Sequence, residues 1–185
     1  MIVVFLANGF EEIEALATVD VLRRADLSVL TVGVGGKTVT GAHGITVVAD
    51  CADSDVLPEK VEAVILPGGL PGTTNLEASP VVQAYLDKAV EQQALIGAIC
   101  AAPSVPGHKG LLKGKRATCY PGYENDLIGA VCTGESVVTD GRIVTAKGAG
   151  VSVDFGLAIV AALVSRETAD ELGEKMQCKQ TTFVN

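Results

Sequence analysis

Cys100 ends the segment Ala94 to Ile99 and is followed by Ala101-Ala102-Pro103. A buried strand that ends on a thiol, then small residues, then a proline tolerated in a first helical turn, describes a tight strand-to-helix elbow. Such a turn lifts the side chain above the sheet. It also sets the thiol beside the positive end of a helix, which favours the thiolate, the nucleophilic and oxidisable form of cysteine. The plain alternative is a structural cysteine at a strand end. Pro67-Gly68-Gly69 follows another apolar segment, Val61 to Leu66. A glycine pair there either makes an ordinary turn or frees backbone N–H groups which, with that of Ala101, form an oxyanion hole.

Carboxylates enter at Gly9-Phe10-Glu11-Glu12-Ile13-Glu14. Glu11 and Glu12 read as helix-dipole partners on a solvated face. Glu14 lies on a different face and is free to turn toward the sheet end. A carboxyl held near a cysteine keeps its proton, because a second negative charge is unfavourable there, and then donates a hydrogen bond to the thiolate.

The elements that must position these groups follow from periodicity. Ile2 to Ala7 is a continuous apolar, β-rich run, the mark of a strand buried on both faces. From Glu11 to Ala25 the positions Ile13, Leu16, Ala17, Val21 and Leu22 recur at helical spacing, with Arg23-Arg24 in the last turn. Ser28 to Val32 is a second strand, so the unit implies parallel pairing with a right-handed crossover. Thr38 to Thr40 and Ile45 to Val48 read as short strands around a glycine-bounded turn. Pro80 to Glu91, Gly156 to Leu163 and Glu167 to Met176 read as helices. Val137 to Thr139 and Ile143 to Ala146 flank Asp140-Gly141, a strong hairpin signal. Pro106-Gly107 ends the helix after the elbow early. The tail from Cys178 to Asn185 has no pattern and is expected to fray.

The result is an α/β fold: a flavodoxin- or Rossmann-like three-layer α/β/α sandwich around a mostly parallel sheet, with a small β-hairpin and the elbow at Cys100. Length favours one domain over residues 1–185. Ligands of such sheets bind past the carboxyl ends of the strands, where the loops carrying Glu14, Gly68-Gly69 and Cys100 arrive.

Bulk properties narrow the partners. The net charge of −8 disfavours nucleic acid and anionic membrane. No stretch reaches the ~18 apolar residues of a membrane span. The apolar start runs at once into Glu11, Glu12 and Glu14, unlike a signal peptide, so a cytoplasmic protein is expected. Five cysteines, none at C-x-x-C spacing, and only two histidines, His43 and His108, give little from which to build a zinc site.

At GFEEIEALATVDVLRRA, AVILPGG, ALIGAICAAP, YPGYE and GAGVSVDFGLAIV, taken in this order, the chain resembles the DJ-one family, the ThiJ/PfpI superfamily with its glutamine-amidotransferase-like fold. The resemblance runs to about residue 175. It implies that Cys100 is the reactive cysteine and Glu14 its hydrogen-bonding glutamate. It further implies that Gly69 and Ala101, with Gly68 and Tyr120 beside them, face the sulfur or the substrate. It implies a homodimer built on the first helix, Glu12 to Ala25. The implied activity needs no cofactor or metal: a glyoxalase or deglycase acting on small reactive carbonyls such as methylglyoxal. The alternative is a non-catalytic oxidative-stress sensor or chaperone in which Cys100 becomes a sulfinic acid. A cysteine peptidase or amidase is the third possibility. Two departures speak against it: Tyr120 stands where some members have a histidine, and Ala101 where the protease-like branch has one. His43 and His108 read as solvated, with His43 near the dimer-facing mouth.

Overall fold

In the computed structural model the alternation inside the first strand explains the layers. The structure describes residues 1–55 and 58–178. Strand β1 (Ile2–Leu6) is buried along its whole length. Ile2, Val4 and Leu6 pack into one core cluster and Val3 and Phe5 into another. The period of two thus sends successive residues to opposite faces, and helices must cover both.

Helix α1 (Glu12–Arg24) leads to β2 (Val29–Gly33), which pairs parallel with β1. A hairpin of β3 (Thr38–Thr40) and β4 (Thr46–Val48) follows, then the two-residue β5 (Cys51–Ala52) beside β2. β6 (Ala63–Leu66) pairs with β1, and the short α2 (Gly72–Ala78) and α3 (Pro80–Glu91) cross to β7 (Leu95–Ile99). Beyond the elbow come α4 (Ser104–His108) and a small parallel pair, β8 (Arg116–Ala117) and β9 (Val131–Cys132). β10 (Val137–Asp140) and β11 (Ile143–Ala146) form the expected hairpin, and α5 (Ser152–Leu163) and α6 (Arg166–Lys175) close the described chain.

The seven-stranded sheet runs β10-β11-β7-β6-β1-β2-β5. Only the β10–β11 pair is antiparallel. On one face Val82, Tyr85 and Leu86 of α3 meet Phe5, Val64 and Ile96. On the other, Val21 and Leu22 of α1 meet Phe155 and Ile159 of α5 over Val4 and Ile65. The α1–α5 contact is close because Gly156 faces Val21: a Cβ on Gly156 would lie 2.8 Å from the Val21 Cβ.

Several expectations shift. Ile13 and Leu16 follow the helical period of α1, yet they are 58% and 39% exposed, so only part of that apolar set faces the sheet. α5 begins four residues before its apolar run, at Ser152. α4 is five residues long, in keeping with Pro106-Gly107. Gly107 is also forced by packing, since a Cβ there would sit 2.2 Å from the Asp126 carbonyl oxygen. Of the tail, residues 179–185 lie outside the described residues.

Candidate active site

Three neighbouring strands, β1, β6 and β7, deliver the chemistry. At the end of β7, Cys100 adopts φ 64°, the left-handed region that non-glycine residues rarely occupy. Its flanking peptides fix this conformation. The Cys100 N–H donates to the Ala146 carbonyl of β11 at 2.8 Å, and the Tyr120 N–H donates to the Cys100 carbonyl at 2.8 Å. Ala102 N–H then donates back to Ile99 O at 3.0 Å, which closes the elbow. The side chain is half-buried.

Glu14 sits in the first turn of α1 and is 1% exposed. Glu11 orients this entry: it caps α1, its carboxylate accepts the Glu14 N–H at 2.7 Å, and its own N–H donates to Gly68 O at 2.9 Å. Glu14 Oε2 accepts the Gly68 N–H at 2.9 Å. Oε1 has no full hydrogen bond. It belongs to a carboxyl close enough to the Cys100 thiol for each group to shift the other.

Gly68 makes this approach possible. A Cβ on Gly68 would lie 2.6 Å from Glu14 Oε2 and 2.7 Å from Cys100 Cβ, so both partners stand within one methyl group of it. Gly69, at φ 91°, packs so tightly on the Gly9–Glu11 turn that a Cβ would come 2.4 Å from the Glu11 nitrogen. The backbone N–H groups of Gly69 and Ala101 lie near enough to the Cys100 sulfur to draw its pKa down. The structure thus gathers Glu14, Gly68, Gly69, Cys100 and Ala101. Tyr120 joins through its backbone. Its ring is half exposed and lies against Gly148.

The proton inventory differs from expectation in one respect. Burial pushes the Glu14 carboxyl up to about 7, partly offset by its neighbours. Burial, and then the Glu14 carboxylate, push the Cys100 thiol up to about 12 against the pull of the Ala101 and Gly69 N–H groups. A thiol acidified by a helix end is therefore corrected: α4 starts only at Ser104 and is one turn long, too little dipole to outweigh desolvation. Above about pH 7 the pair keeps one proton between carboxyl and sulfur, an arrangement in which a carboxylate at Glu14 is able to accept the thiol proton.

The acidic entry is also corrected. Glu12 is 5% exposed rather than solvated. It accepts from His43 N–H at 2.8 Å, Ile45 N–H at 3.3 Å and His43 Nδ1 at 2.9 Å, and so fastens the β3–β4 turn to α1. These bonds lower its pKa against its burial, and they raise that of His43. The short sequence reach of a dipole argument could not find this role; only the hairpin folding over α1 reveals it. Glu11, Glu12 and His43 are the described residues whose donor atoms, all within 4.8 Å, could hold a cation, but Glu12 is already occupied by the hairpin. His108 bridges Glu77 at 2.6 Å and Asp126 at 3.2 Å. Neither histidine bonds Cys100.

The sequence profile of the DJ-1/PfpI family matches residues 1–162. The chain belongs to the DJ-1/PfpI family. It is 37% identical over 164 residues to a glutathione-independent glyoxalase of Caenorhabditis elegans, covering 88% of this chain and 87% of that one. It is 38% identical over 170 residues to protein DJ-1 homolog B of Arabidopsis thaliana, covering 90% of this chain but 39% of the relative, so it spans about two fifths of that protein's length. The oxidized DJ-1 of Toxoplasma gondii has the same fold, with a TM-score of 0.91, 31% identity and coverage of 95% and 97% of the two chains. Among the described residues no helix is long and apolar enough to cross a membrane.

Proposed function

We propose that this DJ-1/PfpI domain is a cofactor-independent glyoxalase or deglycase that acts on small reactive carbonyls through Cys100. One observation carries the reading: a buried carboxyl with a pKa of about 7 stands beside a thiol that faces two backbone N–H groups. The Cys100 sulfur attacks the aldehyde carbon of methylglyoxal while Glu14 takes the thiol proton, giving a hemithioacetal. The Gly69 and Ala101 N–H groups hold the developing oxyanion. Glu14 returns the thiol proton to that oxyanion and, a carboxylate again, moves the proton from the aldehyde carbon to the neighbouring carbon through an enediol. The resulting lactoyl thioester is cleaved by water, which releases lactate and restores the thiol. Gly68 keeps the carboxyl against the sulfur, and Tyr120 borders the mouth. The C. elegans relative, by its name a glyoxalase, supports the same reading.

Titration of methylglyoxal against wild type and Cys100→Ser, with lactate as readout, tests this. Lactate that depends on Cys100, with a rate rising through about pH 7 as the pair loses its first proton, is the expected result. No Cys100-dependent lactate defeats the glyoxalase reading. The second reading, Cys100 as an oxidation sensor or chaperone switch ending in the sulfinic acid, uses the same N–H groups and Glu14 to hold the acid's oxygens. It draws support from a close structural relative solved in oxidized form. Peptide hydrolysis is disfavoured because His43 and His108 are bonded to carboxylates away from the thiol. The exposed Ile13 and Leu16 on α1 support a homodimer through that helix. A single domain and a cytoplasmic location fit this chemistry.

A further inference from the structure

Two thiols outside the Cys100 site converge on one short stretch of chain. Cys119 is buried two residues past β8, and Cys132 ends β9 in an exposed position. The two strands run parallel with Ala117 opposite Cys132, and the Thr133 N–H extends the ladder to Ala117 O at 2.9 Å. Cys119 lies two residues beyond Ala117, so its side chain returns to the side that faces Cys132. Both sulfurs then reach the Tyr123–Glu124 stretch. Cys132 Sγ lies 3.6 Å from the Glu124 carbonyl oxygen, and the Tyr123 N–H, which donates to Tyr120 O at 3.1 Å, is near enough to Cys119 to pull its thiol pKa down. Burial pushes the Cys119 thiol up to about 12, with Glu124 and then Cys132 adding to this, and burial and Glu124 raise Cys132 as well. Gly122 and Gly134 bracket the stretch at φ 103° and 71° with open space around them, so a small adjustment there presses on no packed neighbour.

We propose that Cys119 and Cys132 form a redox-active pair that a small-molecule disulfide converts into an intramolecular disulfide. The exposed Cys132 loses its proton and attacks one sulfur of the oxidant. This forms a mixed disulfide and expels one thiolate. The Cys119 thiol, losing its proton in turn, attacks the Cys132 sulfur and expels the second thiolate. Two protein thiols are oxidised, and one disulfide molecule is reduced to two thiols. The pair is separate from the carbonyl chemistry, since the Cys119 side chain packs in the cluster on one face of the sheet and Cys100 against the cluster on the other.

The test uses Cys100→Ser protein treated with oxidised glutathione at pH 8.5, then unfolded, alkylated and digested with trypsin. Residues 117–141 contain no lysine or arginine, so both cysteines fall in the one peptide between Arg116 and Arg142. The expected product is that peptide two hydrogens lighter, unalkylated, and restored to the dialkylated form by dithiothreitol. It should form at least tenfold faster in the folded chain than in guanidinium, and Cys132→Ser should leave Cys119 open to alkylation after unfolding. A peptide that keeps a glutathione adduct on Cys132 with Cys119 alkylated overturns the proposal. Equal rates in folded and unfolded chains do so as well.

Discussion

Replacing Glu14 with glutamine should make the protein more stable at alkaline pH while removing its chemistry. Glutamine preserves the acceptor for the Gly68 N–H but cannot ionise. In the wild type, burial raises the carboxyl from its ordinary 4.5 to about 7. The folded state therefore holds a proton that the unfolded chain releases, and stability falls as pH rises from about 4.5 through about 7. Below that window the carboxyl carries no penalty. Above it the buried carboxylate is fully charged, and at about 1.4 kcal/mol per unit the separation amounts to about 3 kcal/mol. Glu14→Gln removes that loss. Urea unfolding of both proteins at pH 5, 6, 7 and 8 measures it, best repeated in a Cys100→Ser background so that the thiol does not share the proton. The variant should gain on the wild type as pH rises, mostly between pH 5 and 8, and should form no lactate above background. A constant stability difference across that range would refute the reasoning, for it would mean that Glu14 ionises as an exposed glutamate does.

Gly68→Ala should retain the fold at a cost of about 1–3 kcal/mol and lose at least tenfold in lactate formation, because the new methyl falls between Glu14 and Cys100; wild-type turnover in this variant would remove the need for that close approach. Gly156→Ala should destabilise by a similar amount, about 1–3 kcal/mol in urea unfolding, by wedging Val21 away from α5, with Cys100 reactivity per folded molecule unchanged. Ile13→Glu should convert a dimer to a monomer in size-exclusion chromatography with light scattering, since it charges the exposed face of α1; an unchanged mass would place any interface elsewhere.

The layers of this fold were readable because β1, β6 and β7 are continuous apolar runs and α3 has a clean period. The small elements were not. β5, β8 and β9 have two residues each and owe their existence to a neighbour's open edge rather than to a pattern. The grouping of Glu14, Gly68-Gly69 and Cys100 was legible from chain order and strand ends. Glu12 and the thiol's protonation were not, since both depend on burial that only the assembled tertiary structure imposes. Ile13 and Leu16 show the limit of periodicity: it finds an apolar stripe without saying which part of it meets the core.

The Glu14–Gly68 bond spans 54 residues, and Cys100 arrives one strand later still. Nothing local can assemble this triad. It exists only when β1, β6 and β7 lie side by side, a non-local pairing that forms late and slowly. A newly made chain that ends before β7 lacks the thiol altogether, and a chain whose sheet has come apart carries a common surface cysteine, open to any alkylating agent and without a basic partner. The raised pKa of the Cys100 thiol, set by burial and by Glu14, is thus a readout of completed folding, and timed thiol trapping during refolding would follow the docking of these three strands.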